Sequence, residues 1–193
     1  MRLKAILMGL ILAGALASQA SAQTFNLGLE AGANFSNFIG NDVSGLTNPG
    51  QTFNSSKLGF VGGGFLSLNF GPMFAIRPEL LYEQKGNQIS GYTTNAELDY
   101  VEVPVLVKIS TGLPVINPAF LIGPAFSWNT LNQAGGTKLN NINSSDVGLV
   151  GGLEFDIDKF LVSGRYELGL DNVSSNKNIQ NGTITLLVGY SFI

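Results

Sequence analysis

Residues 24–36 alternate with a period of two. Phe25, Leu27, Leu29, Ala31, Ala33 and Phe35 take one set of positions, and Thr24, Asn26, Gly28, Glu30, Gly32, Asn34 and Ser36 take the other. Successive side chains of a strand point to opposite faces, so this segment reads as a strand with one apolar and one polar face. Its length exceeds that of a typical globular strand and suits a tilted strand crossing a bilayer. The pattern recurs over Leu58 to Phe70, Phe74 to Lys85, Asp99 to Ile109, Pro118 to Trp128, Asp146 to Asp156, Phe160 to Asp171 and Gly182 to Ile193. The connections alternate in length. Asn37 to Lys57, Gly86 to Glu97, Asn129 to Ser145 and Asn172 to Asn181 are long, whereas Gly71-Pro72 and Ile157 to Lys159 are tight and Ser110 to Asn117 is intermediate. Short periplasmic turns and longer external loops are the habit of outer-membrane barrels. The predicted fold is therefore all-β: an eight-stranded antiparallel up-and-down transmembrane β-barrel with both termini on the short-turn side. Pro78, Pro104 and Pro124 lie inside strands, where bulges or locally broken pairing are expected.

Alternation alone does not distinguish this barrel from a soluble, lipocalin-like one turned inside out. Side-chain type separates the two. The polar face carries Glu30, Arg77, Glu79, Glu83, Lys85, Glu102, Lys108, Glu154, Arg165 and Glu167 among Gly, Ser, Asn and Thr, which suits a narrow lumen. The apolar face carries aromatics near strand ends. Phe70, Phe74, Trp128, Phe155, Phe160, Tyr190 and Phe192 read as interfacial girdles. Charged residues make up only 12% of the chain, about half the usual share of a soluble domain. Membrane strands are the reading that fits. Counted along each strand, Glu30, Glu79, Glu102, Arg165 and Glu167 fall near mid-height, and Arg77 and Arg165 are expected to sit among these carboxylates as a polar plug, because buried ions persist only when paired.

The N-terminal 22 residues read as a secretory signal. Arg2 and Lys4 precede an apolar run from Ala5 to Ala17, and Ala20-Ser21-Ala22 matches a small-residue cleavage site before Gln23. That run is too short for a spanning helix. The barrel domain is then 23–193. With Arg2 and Lys4 removed, the acidic residues outnumber the basic ones, which excludes a nucleic-acid partner. The chain has no Cys and no His. No disulfide framework is available, and the usual general base and commonest metal ligand are both missing.

Several motifs resemble the outer membrane protein beta-barrel domain family, in particular its PorT-like members. They are Gly28 to Ser36, Arg77-Pro78-Glu79-Leu80-Leu81-Tyr82 with Lys85-Gly86, Leu98 to Pro104, Gly123-Pro124 and Gly189-Tyr190-Ser191-Phe192. The resemblance covers the whole mature chain. It implies a location in a Gram-negative outer membrane and no single activity, and the secretion role associated with PorT is not carried over. Barrels of this kind commonly end on an aromatic residue read by the assembly machinery; here Phe192 is penultimate and Ile193 last.

These observations lead to a structural or interaction barrel with a polar, closed lumen and exposed loops. The expected partners are outer-membrane lipid, the barrel-assembly machinery during insertion, and a protein partner at the Asn- and Ser-rich loops. A narrow pore or secretion accessory is the main alternative. No catalytic, cofactor or metal residues are assigned. Asp99 and Asp171 form a possible carboxylate pair at the rim, of a kind that is usually inert, and the Gly59 to Gly64 run lacks the following helix that a phosphate loop needs.

Overall fold

A computed structural model of the chain describes residues 23–39, 55–88, 95–134, 137–138, 145–170 and 180–192. The predicted signal up to Ala22, Asp171 and the centres of the long connections lie outside these residues, and Gln23 opens the first strand. The strands are β1 (Gln23–Ile39), β2 (Ser55–Phe70), β3 (Phe74–Gln88), β4 (Asn95–Ser110), β5 (Asn117–Ala134), β6 (Thr137–Lys138), β7 (Ser145–Ile157), β8 (Phe160–Gly169) and β9 (Gln180–Ser191). Among the described residues, β6 pairs only with the end of β5. The other eight form the wall, each antiparallel to its neighbours, with β1 pairing to both β2 and β9 and β4 pairing to β5, so the sheet is closed.

The register fixes the shape. Stepping from partner to partner around the wall, from Thr24 through Asn69, Ala75, Lys108, Leu121, Gly152, Arg165 and Thr185, returns to Asn34, ten residues along β1 from the start. With ~3.3 Å per residue and ~4.8 Å between strands, that stagger tilts eight strands by about 40°. Such a barrel has a bore that side chains can fill.

The alternation expected from the sequence sorts as a membrane barrel requires. Inward side chains such as Glu154 (0% exposed) and Arg77 (1%) are sealed, while outward Leu58 (63%) and Phe120 (64%) face away from the protein. A soluble barrel would reverse these values, which rules out the lipocalin-like arrangement. No described helix is long and apolar enough to cross a membrane, and the crossing is made by strands.

The three short connections lie at one end, with the start of β1 and the end of β9. Gly71 (φ 76°) and Gly112 (φ 74°) take left-handed conformations there, and Asp158 (φ 54°) does so in the two-residue link between β7 and β8. Asp tolerates that region better than most residues because its short side chain bonds locally. At the long-loop end, several strands run past their expected limits. β1 reaches Ile39, β2 starts at Ser55, β4 at Asn95 and β9 at Gln180, and β5 extends to Ala134, where β6 adds a short hairpin. Polar residues that read as loop from composition join the ladder there because a neighbouring strand already offers its donors and acceptors. β8, by contrast, stops at Gly169, short of Asp171.

The in-strand prolines break pairing without slipping it. The β2–β3 ladder skips Pro78, passing from Phe65↔Glu79 to Leu68↔Ile76; the β3–β4 ladder skips Pro104, from Pro78↔Val105 to Leu81↔Glu102; and the β4–β5 ladder skips Pro124, from Pro104↔Ala125 to Val107↔Ile122, each with its register unchanged. The two register shifts lie nearer the loops, between Ser56 and Val61 and between Asp99 and Tyr100.

Candidate functional site

The lumen gathers nearly all the buried charge, in two storeys set by the strand stagger. In the lower one, Arg77 on β3 contacts Glu30 on β1 at 2.9 Å, Glu79 at 3.0 Å and Glu154 on β7 at 2.7 Å. Arg165 on β8 reaches the same Glu79 at 2.6 Å and Glu30 at 3.1 Å. Lys108 on β4 joins Glu154 at 2.8 Å and Asp156 at 2.6 Å. Arg77 Nη1 donates to both oxygens of Glu154. Charge-assisted bonds of this kind are about twice as strong as neutral ones.

Small residues make room for these heads. A side chain at Gly28 would meet the Phe65 ring, and that ring lies 3.9 Å beneath the Arg77 guanidinium. A side chain at Gly152 would come within 2.9 Å of Arg165 Cγ. The glycines of the inner face thus let an aromatic ring and two guanidinium groups share one narrow level.

In the upper storey, Lys85 on β3 contacts Glu83 at 3.0 Å, Glu102 on β4 at 2.9 Å and Glu167 on β8 at 2.6 Å. Ser127 on β5 donates to Glu102 at 2.7 Å, and the Tyr100 ring centroid lies 5.7 Å from the Lys85 ammonium.

Of the six residues expected to form one plug, Glu30, Arg77, Glu79 and Arg165 do meet. Glu102 and Glu167 do not join the arginines but surround Lys85 instead. Counting along strands missed this because neighbouring strands are offset, so equal counts from strand ends are not equal heights. The same offset brings Glu154, Lys108 and Asp156 down to Arg77, and Glu83 and Lys85 up to Glu102. All five lie on the polar face of the alternation, but the list of six omitted them.

Large apolar side chains also enter the lumen, which the sequence reading did not foresee. Val61, Leu81 and Leu187 form one buried cluster, and Leu106, Leu121, Ala125 and Val150 another. The signal was present as apolar neighbours that break the alternation: Phe60-Val61, Leu80-Leu81, Val105-Leu106-Val107, Phe120-Leu121-Ile122 and Leu186-Leu187. In such runs every other residue must point inward.

Below the lower storey, a polar cavity of about 480 Å³ opens toward the short turns, lined by Asn26, Asn69, Arg77, Lys108 and Asp156 among others. Between the storeys the space left is only about 10 Å³, bounded by Glu83, Glu102, Arg165, Glu167 and Thr185. The cavity is a cup whose floor is the arginine network.

The predicted girdle residues face outward, but unequally. Phe70, Phe74, Phe155, Phe160, Tyr190 and Phe192 cluster at the short-turn end, where Tyr190 packs edge-on against Phe160 and Phe192 at 5.2 and 5.7 Å. Trp128 alone of the set lies toward the loops. Outward-facing Phe35 and Tyr82 accompany it there. At the rim, Asp99 accepts a hydrogen bond from Tyr82 Oη at 2.6 Å.

The model of the outer membrane protein beta-barrel domain family matches residues 17–175. The chain belongs to this family. The match supports no narrower grouping, PorT-like or other. It places this barrel in the outer membrane, and the outward apolar wall fits a lipid surrounding. No curated protein sequence matches the chain. Among solved structures, Neisserial surface protein A is 15% identical, covering 89% of this chain and 100% of its own, with a TM-score of 0.55. Ail of Yersinia pestis (14% identity, 87% and 99% coverage, TM-score 0.51) and OprG of Pseudomonas aeruginosa (14%, 88% and 97%, 0.51) are similar in the same way. At these identities the likeness is one of fold.

Proposed function

We propose that this barrel is a non-conducting, non-catalytic element of the outer membrane that holds its long loops outside the cell for interaction. The supporting observation is the lower lumen storey. Arg77 and Arg165 tie β1, β3, β7 and β8 together across the bore through carboxylates that are fully buried. Removing one partner from such a set leaves an uncompensated charge in a low dielectric, so the network resists opening. The short turns then face the periplasm, and the polar cup is a periplasmic vestibule that ends blind. Proposed partners are the surrounding lipid, the assembly machinery that reads the β9 end, and a protein at the loops. Planar-bilayer recording tests the reading. The expected result is no steady unitary current from the purified barrel. A stable open pore would overturn it in favour of a narrow channel.

A further inference from the structure

Resting on that closed-lumen reading and carrying it further, we propose that an apolar belt between the two charged storeys is what keeps water and protons from crossing the lumen. Val61, Leu81, Pro104, Val150 and Leu187 form it. The arginine network below then holds the strands together but is not the barrier. The order of inward residues along single strands places the belt. On β3 they run Glu79, Leu81, Glu83 from the turns toward the loops, and on β4 Lys108, Leu106, Pro104, Glu102. Val61, Leu81 and Leu187, from β2, β3 and β9, make one cluster at most 2% exposed. Val150 on β7 packs with Leu106, Leu121 and Ala125 from β4 and β5. On β8 no apolar residue intervenes between Arg165 and Glu167, and there the charges part. Arg165 turns to Glu79 and Glu30, and Glu167 to Lys85. Among the described residues no ion pair joins one storey to the other.

The space left at this level is about 10 Å³, where Leu81, Pro104, Val150 and Leu187 lie between Arg165 and Glu167. One water needs about 10–15 Å³ and two to four polar partners, so no file of waters fits. Water is called for on either side of the belt. The Thr183 hydroxyl, two inward positions above Leu187 on β9, is buried without a hydrogen-bond partner among the described residues. So is the Ser163 hydroxyl, one inward position below Arg165 on β8. Such groups take up water, and the cup brings water up to Arg77. Carboxylates stand on both sides, Glu30 and Glu79 below and Glu83, Glu102 and Glu167 above. Acids linked in a chain relay protons through membranes. The belt interrupts that chain as a hydrophobic constriction does, by staying dry.

Proton leak is the readout. The barrel is reconstituted in phosphatidylcholine vesicles that enclose a pH-sensitive dye, with potassium and valinomycin balancing charge, and the inner pH is followed after an acid step. Leu81→Ser combined with Leu187→Ser should raise the leak about tenfold over the native barrel, because hydroxyls and water then bridge the acids. Arg77→Met leaves the belt whole and should leak no faster than the native barrel, although it is less stable. Should the double variant lack folded mobility on an unheated gel, the single Val150→Ser decides, and a native leak from it overturns the belt. A native leak from the folded double variant does so too. A comparable rise in Arg77→Met would make the network the barrier and also overturn the belt, with the closed lumen left standing. A native barrel that itself leaks protons or carries a steady current overturns the closed-lumen reading, and the belt with it.

Discussion

Replacing Arg77 by Met tests the central physical claim, that the ion network holds the wall together across its bore. Arg77 is 1% exposed and contacts Glu30, Glu79 and Glu154 at 2.9, 3.0 and 2.7 Å. Met keeps the length and the contact with Phe65 but removes the charge. Each carboxylate retains one cation: Glu30 and Glu79 keep Arg165, and Glu154 keeps Lys108. Three close contacts are lost at a buried side chain, so the expected loss is about 3–5 kcal/mol. Unfolding in urea from lipid vesicles can be followed by Trp128, the single tryptophan, which faces outward. At a slope of ~2 kcal/mol per molar, the midpoint should fall by about 2 M. Adding Glu154→Gln removes one of the acids that lost Arg77, so the double variant should lose clearly less than the sum of the singles. A loss from Arg77→Met below about 1 kcal/mol, the scale of an exposed ion pair, would refute the reasoning. So would additivity within about 0.5 kcal/mol, which marks independent sites.

The outward face should show a depth dependence. Leu186→Arg, mid-wall and 54% exposed, should cost about 2–4 kcal/mol in the same vesicle assay, and Phe160→Arg, at the short-turn end, about 1 kcal/mol or less; equal costs would mean the wall does not face lipid. A side chain at Gly63 would meet the backbone carbonyl of Leu80 on the next strand, so Gly63→Ala should slow or prevent closure, read as loss of the fast-migrating folded band on an unheated gel. Deleting Tyr190 to Ile193 removes the Phe160–Tyr190 ring contact and the bond from Phe192 N to Leu27 O at the β1–β9 closure. Membrane assembly of the truncated chain should fail in a fractionation assay, and normal insertion would show that the seam closes without it.

The wall was legible in the sequence because its signal is local. Each strand has to show one face to lipid and the other to the bore, so Phe25, Leu27 and Leu29 against Asn26, Gly28 and Glu30 already state which side is which. The prolines were legible as places of lost pairing, since a missing N–H is a property of the residue itself. What they would do to the register was not, because that depends on the flanking strands, and there the intact ladders on either side of Pro78 and Pro104 kept the alignment.

The site was only half legible for the same physical reason in reverse. That Arg77 and Glu30 point inward follows from parity alone. Which acid meets which base depends on the ten-residue stagger accumulated around eight strands, a property of closure that no single segment carries. It is this offset that brings Glu154 to Arg77 and lifts Glu102 and Glu167 to Lys85. The inward leucines show a related limit, since an apolar run hides its own parity until the neighbours fix it. By itself, then, the sequence determined a membrane-facing barrel and the polarity of each face. The tertiary structure decided the heights at which the inward charges meet, and so made one polar surface into an arginine-clasped floor with a carboxylate cage above it.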